Sequence, residues 1–380
     1  MYKARSGQLT LEEASRIAKI QIKHIFPGGN TPEGFFSYYK YIIPADGKRI
    51  FLIKGGPGTG KSTFMKKIGA EMVARGYSVE HHHCSSDPNS LDGLVIPSLN
   101  VALMDGTAPH IVDPQNPGCV DEIIHLGDFW DEPKLVSHKK DIIACNHDIS
   151  QHFQRAYRTL QAAKSFYHDW KVINSNALRH TTVNEKTSQL MTALFTGVDT
   201  IGSGKIRKLF ASAITPDGSI HYLPSIIDTM PRRFVIAGQP GTGKSTLMQR
   251  LLDTAVFKGL DTEAYYCPLD PRKLEHLLIP ALGIAVTTSA VPHNYIPANT
   301  ESIIDMNDCL TSSKLMSYQD ELAYDQAYFG QHFQQAIVYI KKAKQLHDVL
   351  ETYYVPYMNF AGVQQVWEKT LRRILIYSQE

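Results

Sequence analysis

The sequence lacks any apolar run that approaches the roughly 20 residues needed to cross a bilayer, and residues 1–10 lack the apolar core of a secretory signal. These absences predict a cytoplasmic protein with no membrane partner. Its five cysteines are odd in number and include no Cys-x-x-Cys pair: Cys84, Cys119, Cys145, Cys267 and Cys309. Such scattered thiols indicate neither a disulfide framework nor a zinc site.

An excess of charge of either sign is also missing. Lys and Arg number 39 against 37 Asp and Glu, which leaves a formal charge of +2. A chain so nearly neutral gives no general electrostatic signal for nucleic acid. Hydrophobic residues make up 43% and charged residues 20% of the 380 residues, as in folded globular domains. At roughly 100 to 200 residues per domain, this length corresponds to about two domains.

An internal repeat organises the chain. A displacement of 183 residues places GGPGTGKST (55–63) on GQPGTGKST (238–246). The same displacement places CSSDPNSLDGLVIP (84–97) on CPLDPRKLEHLLIP (267–280). Further similar segments follow upstream and downstream in the same order, at displacements between 180 and 184. Self-similarity on this scale predicts a duplicated domain.

The repeated motif matches G-x-x-x-x-G-K-[ST], the phosphate-binding loop. Glycines let successive backbone amides face inward as an anion nest, and the following helix presents its positive N-terminal end. Lys61 and Lys244 are predicted to contact the β and γ phosphates, and the hydroxyls of Ser62 and Ser245 to bind Mg²⁺. The predicted nucleotide-binding residues are Gly55, Gly56, Pro57, Gly58, Thr59, Gly60, Lys61, Ser62 and Thr63 in the first loop, and Gly238, Gln239, Pro240, Gly241, Thr242, Gly243, Lys244, Ser245 and Thr246 in the second.

We therefore predict two P-loop NTPase domains, at 1–195 and 204–380, joined by a linker over 196–203 where glycine and polar residues interrupt the pattern. The first helix is predicted from about Lys61 to Arg75, with Gly76 at its end. Strands that alternate with helices are typical of an α/β fold with a parallel sheet flanked by helices. The two halves can pair as an intramolecular pseudo-dimer.

Each half is expected to end in a long helical segment. In the first half, apolar residues recur at spacings of four and three: Ile149, Phe153, Ala156, Leu160, Ala163, Tyr167 and Trp170. Such a seam is typical of a helix that packs against another helix. The segment, predicted from Leu135 to Trp170, either projects as an arm or lid over a site or packs on its own sheet, and the pattern leaves both open.

A carboxylate that binds Mg²⁺ is expected at the end of a buried strand beside the phosphate loop. The run VALMD (101–105) fits, so we predict Asp105 as a metal ligand and, with Lys61, as a catalytic residue. The corresponding run in the second half is IAVTT (284–288), which places the neutral Thr288 at this position. The second site is therefore expected to hold metal more weakly and to hydrolyse nucleotide slowly or not at all.

Asp87 precedes a proline after the second predicted strand, as Asp270 does in the second half. Two interpretations stay open. Asp87, which we include among the predicted catalytic residues, accepts a proton from an attacking hydroxyl or holds a Mg²⁺ water; otherwise it starts a turn and caps the next short helix. His110 and His293, just past the third strand, either sense the γ-phosphate or make a structural hydrogen bond.

The adjacent residues His81, His82 and His83 suggest a metal site at first sight. They lie in a predicted strand, where consecutive side chains point to opposite faces, so all three cannot bind one ion. The second half has Ala264, Tyr265 and Tyr266 at the matching positions, which are typical of a packed strand. We therefore expect these histidines to be structural.

The chain resembles a family of tandem P-loop ATPases of bacteria, described as ATP-binding proteins of unknown role. The resemblance covers nearly the whole chain and rests on RIFLIKGGPGTGKSTFMKKI, the C-x-x-D-P-x-x-L-x-x-L-V-I-P segment and LMDGTAPH. It implies ATP, with Mg²⁺, as the nucleotide but no particular substrate. In the second half of the family's proteins, the corresponding segment resembles an aspartate followed by Ser-Thr-Ala-Pro-His. This sequence has TSAVPH at 288–293 instead.

Three functions are compatible with these residues. The first is an ATPase that converts ATP binding and turnover into movement of the helical segments, acting on a protein or small-molecule client that the sequence does not identify. The second is a phosphotransferase that uses Asp87 as base and the helical segment as lid. The third is a noncatalytic nucleotide-gated binding module. No N-K-x-D motif for guanine, S-G-G-Q motif or basic stripe is present.

Overall fold

The computed structural model describes residues 20–108, 111–200, 202–298 and 301–379. The first half contains eight strands in these residues: β1 (Ile22–Ile25), β2 (Gly28–Thr31), β3 (Gly34–Ser37), β4 (Arg49–Lys54), β5 (Val79–His83), β6 (Leu91–Ile96), β7 (Val101–Asp105) and β8 (Asp121–His125). Six of them form a sheet in the order β1-β5-β6-β7-β4-β8, and β2 pairs with β3 in a separate hairpin.

The second half repeats this arrangement. Its strands are β9 (Ile206–Leu209), β10 (Ser212–Thr215), β11 (Gly218–His221), β12 (Arg232–Ala237), β13 (Thr262–Cys267), β14 (Asp270–Ile279), β15 (Ile284–Ser289) and β16 (Ser302–Asp305). The sheet order is β16-β12-β15-β14-β13-β9, the same topology as in the first half, and β10 pairs with β11. The predicted duplication is therefore visible strand by strand.

The prediction of a parallel sheet is wrong for one strand in each half. β6 runs antiparallel to β5 and β7, and β14 runs antiparallel to β13 and β15. The other neighbours in both sheets are parallel. Only residues 97–100 join β6 to β7, and a parallel crossover needs about a dozen residues, so this pair can only form a hairpin. The α/β class is confirmed, with mixed sheets of mostly parallel strands.

The described residues also contain α-helices. They are α1 (Lys61–Ala74), α2 (Glu132–Ser137), α3 (Lys139–Asn176), α4 (His180–Phe195), α5 (Leu223–Ile227), α6 (Lys244–Phe257), α7 (Ser312–Met316), α8 (Gln319–Tyr354) and α9 (Phe360–Tyr377). α1 ends where predicted, because Gly76 adopts the left-handed conformation just beyond it, with φ of +89°. The predicted long helix is divided at His138, which ends α2, and continues to Asn176.

The last helix of each half packs on the sheet of the other half. In α4, Leu190, Leu194 and Phe195 belong to the core that Leu247 and Met248 of α6 help to form. In α9, Val363 and Ile374 belong to the core of the first sheet, together with strand β4 and helix α1. Core packing thus crosses the limits 1–195, 196–203 and 204–380 in both directions. The domain limits therefore remain a prediction from the sequence.

The long helices α3 and α8 pack against each other as an antiparallel pair. The Cys145 thiol contacts the Leu346 carbonyl oxygen at 3.2 Å near one end, and Phe166 stacks on Tyr328 near the other. The seam between them is buried and consists of Ala156, Leu160 and Ala163 with Phe329, Phe333, Ala336, Ile337 and Ile340. The spacing of four and three therefore marks a helix–helix contact, as the pattern indicated.

Contacts between the halves come in reciprocal pairs. Phe26 and Phe210, which correspond in the repeat, exchange two backbone hydrogen bonds of 3.0 Å each. Lys23 Nζ lies 2.8 Å from Glu263 Oε2. At the matching positions, Arg207 donates to Glu80 Oε1 at 2.8 Å. An interface between two copies related by a two-fold axis makes every contact twice, and these pairs have that character within one chain.

Candidate functional site

The first phosphate loop connects β4 to α1. Gly58 and Gly60 have φ values of +68° and +88°, a left-handed conformation that glycine adopts without strain. A Cβ atom at position 58 would lie 2.7 Å from Cγ2 of Val355. Gly60 is the N-cap of α1, so the unpaired amides of the first helical turn adjoin the loop. The geometry is that of an anion-binding cradle.

Lys61 and Asp105 meet at this loop. Lys61 Nζ donates to the carbonyl oxygens of Gly55 at 2.8 Å and Gly56 at 3.0 Å, and it lies 3.6 Å from Asp105 Oδ2. Asp105 reaches this place because β7 runs parallel to β4 as its neighbour in the sheet. Burial raises the pKa of the Asp105 carboxyl, while the Lys61 ammonium acts in the opposite direction. The hydroxyl of Ser62 accepts a hydrogen bond from the Leu91 amide at 2.9 Å.

The second loop has the same backbone but a different electrostatic environment. Gly243 is the N-cap of α6, with φ of +91°, and Ser245 follows Lys244 in the first turn. Lys244 Nζ donates to the carbonyl oxygens of Gly238 and Gln239, the latter at 2.7 Å. Thr288 occupies the place of Asp105 on β15, beside the loop strand β12. Burial, with Lys273 nearby, lowers the pKa of Lys244 to about 7.

Helix α3 from the first half closes over the second loop. Asn174 Nδ2 donates to the Pro240 carbonyl oxygen at 2.7 Å, and Ser175 Oγ donates to the Gly241 carbonyl oxygen at 3.2 Å. A Cβ atom at position 241 would lie 2.2 Å from the carbonyl oxygen of Lys171. The second loop is therefore held by hydrogen bonds from the other half of the chain.

The end of helix α8 covers the first loop in the reciprocal manner, but with apolar contacts. A Cβ atom at position 56 would lie 3.4 Å from the ring of Tyr354 and 3.2 Å from that of Trp130. Val355, immediately after α8, contacts the position of Gly58. Each phosphate loop is thus completed by the long helix of the opposite half.

Each long helix also brings a lysine to the other half's Asp-Pro turn. Lys344 Nζ on α8 lies 3.4 Å from Asp87 Oδ2, and Lys164 Nζ on α3 lies 3.5 Å from Asp270 Oδ1. Asp87 also caps its own turn, where it accepts hydrogen bonds from the Asn89 amide at 3.2 Å and the Ser90 hydroxyl at 3.0 Å. The capping interpretation of Asp87 agrees with this geometry, and the contact with a lysine from the other half is new.

Asp92 is a residue near the first loop that the sequence analysis missed. Because β6 runs antiparallel, its first residues lie at the sheet edge where β5 and β7 end. Burial raises the pKa of Asp92 to about 7, although Tyr39, Cys84 and Lys61 act in the opposite direction. The signal that was available is the repeat itself, because a displacement of 183 residues pairs Asp92 with another acid, Glu275.

The histidines divide as the strand geometry requires. His82 points to the face where its Nε2 lies 3.3 Å from Glu80 Oε2. His83 points to the opposite face, where its Nε2 lies 2.8 Å from Nδ1 of His24 on β1. His293 is buried, with its Nδ1 2.5 Å from the Ser219 hydroxyl, whereas His110 lies outside the described residues.

A scan against protein-family models, a search of curated proteins and a search of solved structures each found no match. Among the described residues, no helix combines the length and the apolar character that a membrane span needs.

Proposed function

We propose that this protein is a Mg²⁺-dependent ATPase with two composite sites, in which the first hydrolyses ATP and the second binds it and regulates the first. The observation that carries the proposal is the pairing of Lys61 with Asp105 at 3.6 Å beside a glycine cradle. The same cradle in the second half has Thr288 in place of the carboxylate. This contrast supports hydrolysis at one site and retention of nucleotide at the other.

The residues present suit a triphosphate and a hard cation. Left-handed glycines at 58 and 60 leave the backbone amides accessible, and a side chain at position 58 would collide with Val355. The Lys61 ammonium provides positive charge for the β and γ phosphates. The Ser62 hydroxyl and the Asp105 carboxylate are oxygen donors of the kind that Mg²⁺ prefers. When bound, Mg²⁺ shields the phosphate charge.

Hydrolysis consumes one water molecule. The water oxygen bonds to the γ-phosphorus, the bond from that phosphorus to the bridging oxygen breaks, and ADP, phosphate and a proton are released. Asp87 forms an ion pair with Lys344 of the opposite half, and Lys344 also pairs with Asp348 of its own helix.

The second site is suited to binding rather than turnover. Hydrogen bonds from Asn174 and Ser175 hold its loop closed from the other half. Thr288 of β15 occupies the position that corresponds to Asp105, so this position has no carboxylate. Nucleotide bound at this loop would shift α3, which contacts the loop. Because α3 packs along α8, the shift would reach the end of α8 that covers the first loop. This route supports regulation of one site by the other.

We also propose that each half has the P-loop NTPase fold and that the chain is related to the tandem P-loop ATPases that it resembles. Support comes from the two loops, each between a strand and a helix, and from the identical topology of the two sheets. Its cysteines are unpaired with one another in the described residues, which supports a reducing compartment such as the cytoplasm.

Phosphate release from Mg-ATP by the purified full chain tests the proposal, with binding heat measured by calorimetry in parallel. We expect ATP-dependent heat and steady release of phosphate without any added acceptor. Heat without release under any condition would favour a noncatalytic binding module. Transfer of phosphate only when a small acceptor is added would favour a phosphotransferase, and the absence of heat would overturn all three functions.

A further inference from the structure

Three potential metal ligands meet inside the second half. Cys267 ends β13, Glu275 lies in β14 and His293 follows β15. All three side chains are buried, with relative exposures of 2%, 3% and 4%. One ligand atom from each lies within 4.8 Å of the ligand atoms of the other two. A thiol, a carboxylate and an imidazole at this separation form a donor set that transition-metal ions of the zinc class accept.

Two buried polar atoms of these three side chains require an explanation. Within the described residues, neither Glu275 Oε2 nor His293 Nε2 has a hydrogen-bond partner, although both are buried. Buried polar atoms are nearly always hydrogen-bonded, so each such atom requires an explanation. On the opposite side of the His293 ring, Nδ1 lies 2.5 Å from the Ser219 hydroxyl. A metal-bound histidine typically has its second nitrogen fixed by a hydrogen bond in this way.

We propose that Cys267, Glu275 and His293 form a binding site for a divalent transition-metal ion, with Zn²⁺ as the class of ion that fits best. The ion is bound by the Cys267 sulfur, a Glu275 carboxylate oxygen and His293 Nε2, with the fourth position taken by water. This site is separate from the Mg²⁺ ligands of the first loop and does not depend on the proposed ATPase activity.

The charges around the cluster suit a metal ion. A Glu275 carboxylate and a Cys267 thiolate together bring two negative charges to a divalent cation. Because the thiol must lose its proton to bind, binding of the ion releases one proton. The Lys273 ammonium limits the affinity, because it remains beside the bound cation.

The first half has the same pattern in sequence but not the same cluster. At a displacement of 183 residues, Cys84 corresponds to Cys267 and Asp92 to Glu275. Asp92 there interacts with the hydroxyl of Tyr39 and with Cys84. In the second half, Leu223 corresponds in sequence to Tyr39. A leucine side chain cannot donate a hydrogen bond to a carboxylate. We therefore assign the metal site to the second half alone.

Titration of the metal-stripped full chain with Co²⁺ in the absence of nucleotide tests this site. Cobalt bound to a thiolate gives a charge-transfer band in the near ultraviolet, and tetrahedral Co²⁺ gives intense visible bands. We expect both signals with about one ion per chain, and their reversal by Zn²⁺. Cys267→Ser should remove the charge-transfer band, and His293→Gln should weaken Co²⁺ binding at least about tenfold.

Cys84→Ser is the matched control, because it removes the corresponding thiol of the first half, and its spectrum should equal that of the parent chain. His81→Gln controls for the histidines of β1 and β5, which also lie close together. If the cluster variants unfold, Ser219→Ala tests the site from outside the ligand set, with an expected loss of about tenfold in affinity. A charge-transfer band that survives Cys267→Ser, or one lost in Cys84→Ser or His81→Gln, would overturn the assignment. Calorimetry with Mg-ATP tests the ATPase separately, so the two proposals fail independently.

Discussion

The two halves have the same strand order and the same glycine cradle, yet their loops lie in opposite electrostatic surroundings. At the first loop, Lys61 has the Asp105 carboxylate 3.6 Å away. At the second, Thr288 replaces that carboxylate, and burial lowers the pKa of Lys244, with the Lys273 ammonium acting in the same direction. The comparison shows that the two halves share the glycine-rich backbone of the loop, whereas the side chains that we propose to bind a cation and support turnover differ.

The residues that cover the two loops also differ between the halves. The second loop accepts hydrogen bonds from Asn174 and Ser175, which fix its carbonyl groups. The first loop contacts apolar atoms of Tyr354 and Val355 and lies near the backbone carbonyl oxygen of Glu351. A buried hydrogen bond contributes about 1 kcal/mol net, so the contacts of Asn174 and Ser175 are consistent with the proposed retention of nucleotide at the second site.

The largest expected effect distinguishes the two lysines. Lys61→Ala should lower phosphate release by roughly 100- to 1,000-fold, because it removes the charge aimed at the transferred phosphate. Lys244→Ala should keep a large part of the turnover and change its dependence on ATP concentration. Steady-state phosphate release over a range of ATP concentrations measures both. An equal loss from the two substitutions would contradict the assignment of hydrolysis to the first half.

The next effect concerns the carboxylate present in one half and absent from the other. Asp105→Asn should lower turnover on the order of 100-fold, because it removes the negative charge that we propose to hold Mg²⁺. Thr288→Asp should add that charge to the second loop and raise the residual turnover of the Lys61→Ala chain. Phosphate release at several Mg²⁺ concentrations measures both variants, with Thr288→Asn as the neutral control. Full activity of Asp105→Asn would show that another group holds the cation.

The corresponding acids Asp92 and Glu275 have pKa shifts of opposite sign. Asp92 has a raised pKa of about 7, so its contribution to stability is present at low pH and is lost as the pH rises through that value. From pH 5 to pH 8, the parent chain should lose about 2 kcal/mol of unfolding free energy relative to Asp92→Asn.

Glu275 has a lowered pKa, so its contribution is present above the usual carboxyl pKa and is lost as the pH falls through the lower folded value. The comparison of the parent chain with Glu275→Gln should therefore show the opposite trend, confined to acidic pH. Denaturant unfolding in the presence of a chelator measures both pairs. A pH-independent difference between the parent chain and Asp92→Asn would contradict the raised pKa.

The smallest expected effect comes from the lysines that each long helix brings to the opposite half. Lys344→Gln should lower turnover at most about tenfold, because it removes the positive charge that pairs with Asp87. Lys164→Gln should change turnover less, since its site is not the hydrolytic one. Both pairs are partly exposed, so each substitution should cost at most about 1 kcal/mol of stability. A larger kinetic loss in Lys164→Gln than in Lys344→Gln would reverse the roles of the two halves.

Local features were predictable because their signals lie within a few consecutive residues. The start of α1 at Lys61 and its end before Gly76 follow from the loop motif and a left-handed glycine. The parallel sheet was a wrong prediction because strands were assigned a direction from their alternation with helices. The connection over residues 97–100 is too short for a crossover, and connection length was the better guide. Asp92 was missed for the same reason, because only an antiparallel β6 brings it to the site.

The sequence by itself determined the two cradles, since glycine spacing and a following helix suffice to build an anion nest from one continuous segment. It also determined the duplication, because matching residues recur in the same order. Only the tertiary structure decided that each cradle is completed by the opposite half, where residues such as Tyr354 contact a loop about 300 positions earlier in the chain. Pairing of surfaces so distant depends on how two cores and two long helices pack together, and no local pattern encodes that choice.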